Sequence, residues 1–199
     1  MKSTYAIVVE EHRYAYLNIA KAGCTSIKTA IAKHVGVSFP EVMYDYPWRR
    51  SVHSIPSGMF VFTVVRHPLA RLVSCWADYV VAPLQRELDM NPEFYDYDGL
   101  EFEEFAKLVF RRPVPNLHYA PQWPQISGRV SEIIRLEEIE REWPLLMQRL
   151  GIPDLPYKRR SKHDDWRTYY NDTLMDEAAA YYRHDVAHLG YSVEKVSAC

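Results

Sequence analysis

Cysteine is scarce in this chain: 199 residues contain three, Cys24, Cys75 and Cys199. An odd number without paired metal spacing excludes a disulfide framework and fits a reducing compartment. Long apolar runs are also missing. No stretch approaches the ~18 residues of a membrane span, and the opening MKSTYAIVVEEHRYAY lacks the apolar core of a secretory leader. A cytoplasmic protein without a membrane anchor is the expectation. Charge of one sign is absent too: the net charge is −2, which argues against a dedicated nucleic-acid binder but leaves room for a local basic pocket. Histidines, cysteines and carboxylates nowhere take metal-ligand spacing, so no metal is expected.

What is present reads as a soluble domain. Hydrophobic residues are 48% and charged residues 25%, and the length suits one domain spanning 1–199 with a sizeable core. Aromatics reach 14%, and core packing accounts for most of them. Tyr5–Val9 and Tyr14–Ile19 read as strands, and Thr25–Val35 as a helix with Ile27, Ala30, Ile31, His34 and Val35 on one face. FVFTVV, Phe60–Val65, has the β-branched and aromatic character of a central parallel strand. A helix follows from Pro68, a favoured first-turn residue. Val81–Leu100 reads as a loop. A short helix follows at Phe102–Val109, then a strand at Val130–Leu136 and a helix at Ile139–Leu150 ended by Gly151 and Pro153. Asp172 or Thr173 is expected to cap a last helix running to about His188. Strands alternating with helices imply an α/β fold with a mostly parallel sheet, whose ligands bind beyond the carboxyl ends of the strands.

Two strand-to-helix junctions carry anion-binding chemistry. In AKAGCTS, Lys21 precedes the small residues Ala22, Gly23 and Cys24, which let backbone N–H groups approach a ligand. Thr25 and Ser26 add hydroxyls where the helix begins, and the helix N-terminus favours an anion. The plain alternative is an ordinary turn with Thr25 or Ser26 as the N-cap. In RHPLARLVS, Arg66 ends the apolar strand and Ser74 follows eight residues later; a guanidinium there can grip a phosphate. Two such junctions suggest a ligand with phosphates at two places.

The pair resembles the two nucleotide signatures of sulfotransferases, a lysine-led P-K-x-G-[GT]-T-S loop and an R-x-P-x-x-R-L-x-S helix. Downstream, NLHYAPQ (Asn116–Gln122) is similar to the N-x-H-W-x-P-Q element of the chondroitin and HNK-1 branch of the carbohydrate (Golgi-type, family 2) enzymes and their small bacterial relatives. YKRRSKHDDWRTYY (Tyr157–Tyr170) resembles that branch's late loop, and YYRHDVAHLGYS its usual close. The chain departs from the pattern at Ala20, Cys24, His67 and Arg159 or Arg160.

The resemblance implies a P-loop-like, three-layer α/β/α fold and a donor, 3′-phosphoadenosine 5′-phosphosulfate (PAPS), whose product is adenosine 3′,5′-bisphosphate. It implies that the acceptor is a hydroxyl, expected on a carbohydrate, and that neither a metal nor a nucleic acid takes part. Lys21 would touch the bridging oxygen and the leaving phosphate. Ala22, Gly23, Cys24, Thr25 and Ser26 would hold the 5′-phosphate. Arg66 and Ser74 would hold the 3′-phosphate, and Arg160 and Ser161 belong to a basic loop expected to lie over the nucleotide. A histidine suits the role of base. His53 comes first, because related uronyl 2-O-sulfotransferases place a base histidine before the corresponding strand, and His118 in NLHYAPQ is the other candidate. Arg49, Arg50, Arg111 and Arg112 could meet an acidic sugar, and Trp48, Trp123 and Trp166 could form sugar platforms. A P-loop small-molecule kinase and a non-catalytic nucleotide or glycan binder are the rival readings. The kinase reading lacks a G-K-[ST] after its loop.

Overall fold

The computed structural model describes residues 4–126, 128, 130–156 and 163–193. The elements run β1 (Tyr5–Val9), β2 (Tyr14–Leu17), α1 (Cys24–Val35), α2 (Phe39–Tyr44), β3 (Arg49–Ser51), β4 (Phe60–Val65), α3 (Pro68–Trp76), α4 (Gln85–Met90), α5 (Phe102–Arg111), β5 (Glu132–Arg135), α6 (Ile139–Leu150), α7 (Asp172–Tyr181) and α8 (Arg183–Leu189). The fold is α/β. The chain divides into two compact units. The first takes the described residues of Met1–Arg66 and Pro124–Arg159, the second those of His67–Trp123 and Arg160–Cys199.

The first unit holds a five-stranded sheet of order β3-β1-β2-β4-β5. β1 is antiparallel to β2 and β3, whereas β2–β4 and β4–β5 are parallel. Four strands therefore share one direction, and their carboxyl ends emerge at one edge. β2 is buried along its whole length and β4 almost so, which is why both read as unbroken apolar runs rather than alternating ones. The Thr63 hydroxyl donates to the Leu17 carbonyl at 2.9 Å and ties the two strand ends together. On one face, Ile7, Tyr16, Phe62, Val64 and Ile134 pack against Ile27 and Ile31 of α1 and Trp143 and Leu146 of α6. Each such side chain contributes about 1.5–3 kcal/mol by leaving water. Gly151, at φ 71°, closes α6 with its N–H on the Met147 carbonyl, the left-handed cap that glycine adopts without strain.

The second unit is helical. Every residue from Pro68 to Cys75 on α3 is buried. Leu69, Leu72 and Val73 share a core with Phe105 and Val109 of α5 and Leu174, Met175 and Ala178 of α7. Val81–Leu100 is not a loop. A π-helical turn over Ala77–Val81 leads into α4 and a 3-10 segment, Pro92–Tyr97. These pieces are too short to show periodicity, and buried Tyr79, Leu88, Phe94 and Tyr97 anchor them instead. The last helix is two helices capped by Asn171, whose side chain accepts from the Leu174 N–H at 2.8 Å. The break falls at Tyr182, where ψ is 19°. Its hydroxyl is drawn to the Tyr119 carbonyl at 2.7 Å. β2 and β5 are shorter than expected by two and three residues respectively, because the chain leaves the sheet at Asn18 and enters it at Glu132. Among the described residues, no helix is long and apolar enough to cross a membrane.

Candidate active site

In the first unit the segment after β2 forms a cradle. Lys21 and Gly23 both take positive φ, 65° and 74°, with Ala22 buried between them. Alternating backbone handedness of this kind turns successive N–H groups toward one point. Gly23 is the N-cap of α1, so Cys24 is already helical. The plain alternative, Thr25 or Ser26 as the cap, does not hold: these residues stand within the first turn. That turn contains no acidic residue, so nothing there repels an anion. A Cβ on Gly23 would lie 2.9 Å from Leu136 Cδ1, at the end of β5. The position thus demands glycine both for its φ and for its space.

Arg66 follows the last residue of β4, beside β2. One of its guanidinium nitrogens lies 3.5 Å from the Lys21 carbonyl oxygen. Two residues 45 apart in sequence are thereby brought to adjacent strand ends. A helix N-terminus alone stabilises a surface anion by about 0.3–1 kcal/mol, whereas a hydrogen bond to a charged group contributes about 1.5–3 kcal/mol. A cationic side chain at this edge would therefore contribute more to holding an anion than the helix N-terminus alone. Lys28, one turn into α1, was not singled out from sequence. It is 2% exposed, with its ammonium 3.4 Å from the Tyr5 hydroxyl. Burial works to lower its pKa, but the neighbouring Cys24 and Tyr5 raise it on balance. A cation is thus kept one turn below the cradle. The i,i+4 spacing of Cys24 and Lys28 was the available signal.

His53 follows β3, so it emerges at the same sheet edge as Lys21 and Arg66, with β1 between β3 and β2. It is exposed, and its backbone N–H bonds the Ser51 hydroxyl at 3.4 Å. Nearby, Arg49 covers the Tyr5 ring at 4.0 Å and Arg50 pairs with Glu10 at 2.5 Å. Trp48 packs against the first unit's core.

The second unit contains Ser74, 2% exposed, and His118. His118 Nδ1 is 2.7 Å from Asn116 Oδ1, and its Nε2 is 2.9 Å from the Tyr79 hydroxyl. The loop that bears it is secured at several points. Arg71, fully buried, donates to the carbonyls of Leu117 and Ala120 at 2.7 and 2.8 Å. Asp185, equally buried, accepts from the N–H groups of Gln122 and Trp123 at 2.9 and 2.7 Å. Arg71 belongs to the RHPLARLVS motif, but its partners lie 46 and 49 residues away, and neither they nor Asp185 could be named from sequence. His67, the N-cap of α3, stacks on Trp166 at 4.4 Å and donates from Nε2 to the Ser192 carbonyl at 3.0 Å. Trp123 stacks on His188 at 4.5 Å. Arg112 pairs with Asp96 at 2.5 Å. These tryptophans, like Trp48, each pack on a neighbouring group of their own unit. Arg160 and Ser161 lie outside the described residues.

A family model described as "Sulfotransferase family" matches residues 4–192. No significant match is found among curated proteins or solved structures. The matched span takes in both strand-to-helix junctions, the NLHYAPQ loop and the final pair of helices, and the chain belongs to the sulfotransferase family.

Proposed function

We propose that this chain is a PAPS-dependent O-sulfotransferase, acting as one sulfotransferase domain with the P-loop-like three-layer arrangement, whose acceptor is a carbohydrate hydroxyl. The observation that carries the reading is the meeting of Lys21 and Arg66 at the ends of β2 and β4, beside the N-terminus of α1. The donor's phosphate chemistry fits that cradle: its residues are small, it has no carboxylate in the first turn, and its Gly23 position has no room for a Cβ.

Bound PAPS supplies a sulfuryl group on an activated phosphate leaving group. Ala22, Gly23, Cys24, Thr25 and Ser26 bind the 5′-phosphate through backbone N–H groups and hydroxyls. Lys21 stabilises the charge that grows on the leaving phosphate, the kind of preorganised electrostatics that dominates group transfer. Arg66 and Ser74 bind the 3′-phosphate. The base is a histidine, and His118 is the better supported of the two candidates because both its ring nitrogens are oriented by partners. His53 lies at the sheet edge with its ring exposed, where contact with the acceptor is the role it could serve.

Transfer of radiolabelled sulfate from PAPS to a panel of oligosaccharides tests the reading. Incorporation by the wild type and its loss in Lys21→Ala are expected. No transfer to sugar, lipid-glycan or small-alcohol acceptors would overturn it.

A further inference from the structure

Within the first unit, the buried Lys28 lacks the partner that its charge calls for. Its ammonium lies 3.4 Å from the Tyr5 hydroxyl and 3.7 Å from Met43 Sδ, with the Phe39 ring at 5.7 Å. The groups that act on it electrostatically are Cys24, Tyr5 and Tyr44, and none of them is a carboxylate. Buried charges are as a rule paired, because a desolvated ion without a counter-charge is costly. Among the described residues, no counter-ion stands beside this one.

The place where one could arrive is close by. Helix side chains lean toward the N-terminus, and residues four apart share a face. Lys28 therefore leans toward Cys24, the first residue of α1, across one turn of about 5.4 Å. Its partner Tyr5 stands at the carboxyl end of β2, where its carbonyl accepts from the Asn18 N–H at 3.0 Å. Beyond both lies the cradle, with no acidic residue in the first turn.

A second buried group points to the same need. Tyr16 is fully buried near the end of β2. Its hydroxyl has the Ile19 N–H and Cys24 for neighbours, one at each end of the segment that forms the cradle. Among the described residues, its O–H finds no acceptor. An ammonium without an anion and a hydroxyl without an acceptor are both complemented by negative charge.

Resting on the sulfotransferase reading, we infer that Lys28 is a positioning residue for the donor, whose buried charge strengthens the cradle's hold on the 5′-phosphate through the protein interior and without contact. A charge inside the protein acts through a lower dielectric than one in water, and salt screens it less than an exposed charge. Lys28 thus adds attraction that persists where the pull of surface cations fades.

The test is calorimetric binding of adenosine 3′,5′-bisphosphate, without metal, to the wild type, Lys28→Met, Lys28→Gln and Lys33→Met. Titrations at about 0.1 M and about 1 M salt compare Debye lengths of about 10 and about 3 Å, and urea unfolding is followed in parallel. Lys33 is an exposed residue in the last turn of the same helix, so its variant matches the change in net charge. Both Lys28 variants are expected to bind about 10- to 100-fold more weakly at either salt concentration. Their urea midpoints should stay at or above that of the wild type, since a neutral side chain relieves the desolvated charge. Lys33→Met should bind within about twofold of the wild type. A Lys28 variant that binds as well as the wild type, a loss matched by Lys33→Met, a loss that disappears at high salt, or a loss accompanied in both Lys28 variants by a fall in stability would each overturn the role of Lys28. Binding by the wild type would then leave the sulfotransferase reading intact. A wild type that neither binds the bisphosphate nor transfers sulfate would overturn both.

Discussion

The two units organise their polar groups in opposite ways. The first builds its cradle from backbone: small residues, two left-handed positions and a helix start, with Lys21 and Arg66 at neighbouring strand ends. The second builds from side chains. Arg71, Asp185, Asn116 and Tyr79 fix one loop and its histidine through long-range hydrogen bonds. A backbone cradle tolerates changes of side chain provided that they stay small. A buried side-chain network tolerates little, since each loss strands a desolvated partner.

The sharpest way to break this contrast is Arg71→Met. It removes a buried cation and its hydrogen bonds to the Leu117 and Ala120 carbonyls, at a cost of about 1–3 kcal/mol for each bond lost. Urea unfolding should show the drop, whereas Arg49→Met, on an exposed guanidinium, should change stability by less than about 1 kcal/mol. Lys21→Ala acts on function instead. On the proposed function, loss of the Lys21 ammonium is expected to lower kcat about 100- to 1,000-fold, with an unfolding midpoint near that of the wild type. Gly23→Ala comes next. Its positive φ costs about 1–2 kcal/mol, and the crowding against Leu136 adds to this. The loss should show in both stability and donor affinity. His53→Ala is the smallest: an exposed ring outside the network should leave kcat within about twofold, since surface changes rarely exceed ±0.5 kcal/mol. A hundredfold loss there would return the base to the first unit.

The same contrast explains what could be read in advance. β4 was legible to the residue because a buried parallel strand is one apolar run. α6 was legible because Gly151 closes it with a left-handed cap. The turn of small residues between β2 and α1 was legible because its backbone is local in sequence, whereas the approach of Arg66 to the Lys21 carbonyl, 45 residues away, was not. The second unit hid its logic. The π turn under Tyr79 and the short helices before Phe102 have no period to detect. The break at Tyr182 follows from a hydroxyl contact 63 residues away. His118 was visible as a residue, but the Tyr79 that faces its Nε2 and the Arg71 that secures its loop were not, because those pairings exist only in three dimensions.

The most direct measurement is calorimetric binding of adenosine 3′,5′-bisphosphate, without metal, to the wild type and to Arg66→Ala. The account predicts binding by the wild type that weakens about 10- to 100-fold in the variant, the loss of one charge-assisted contact. No binding to either protein, with ATP–magnesium bound instead, would contradict it.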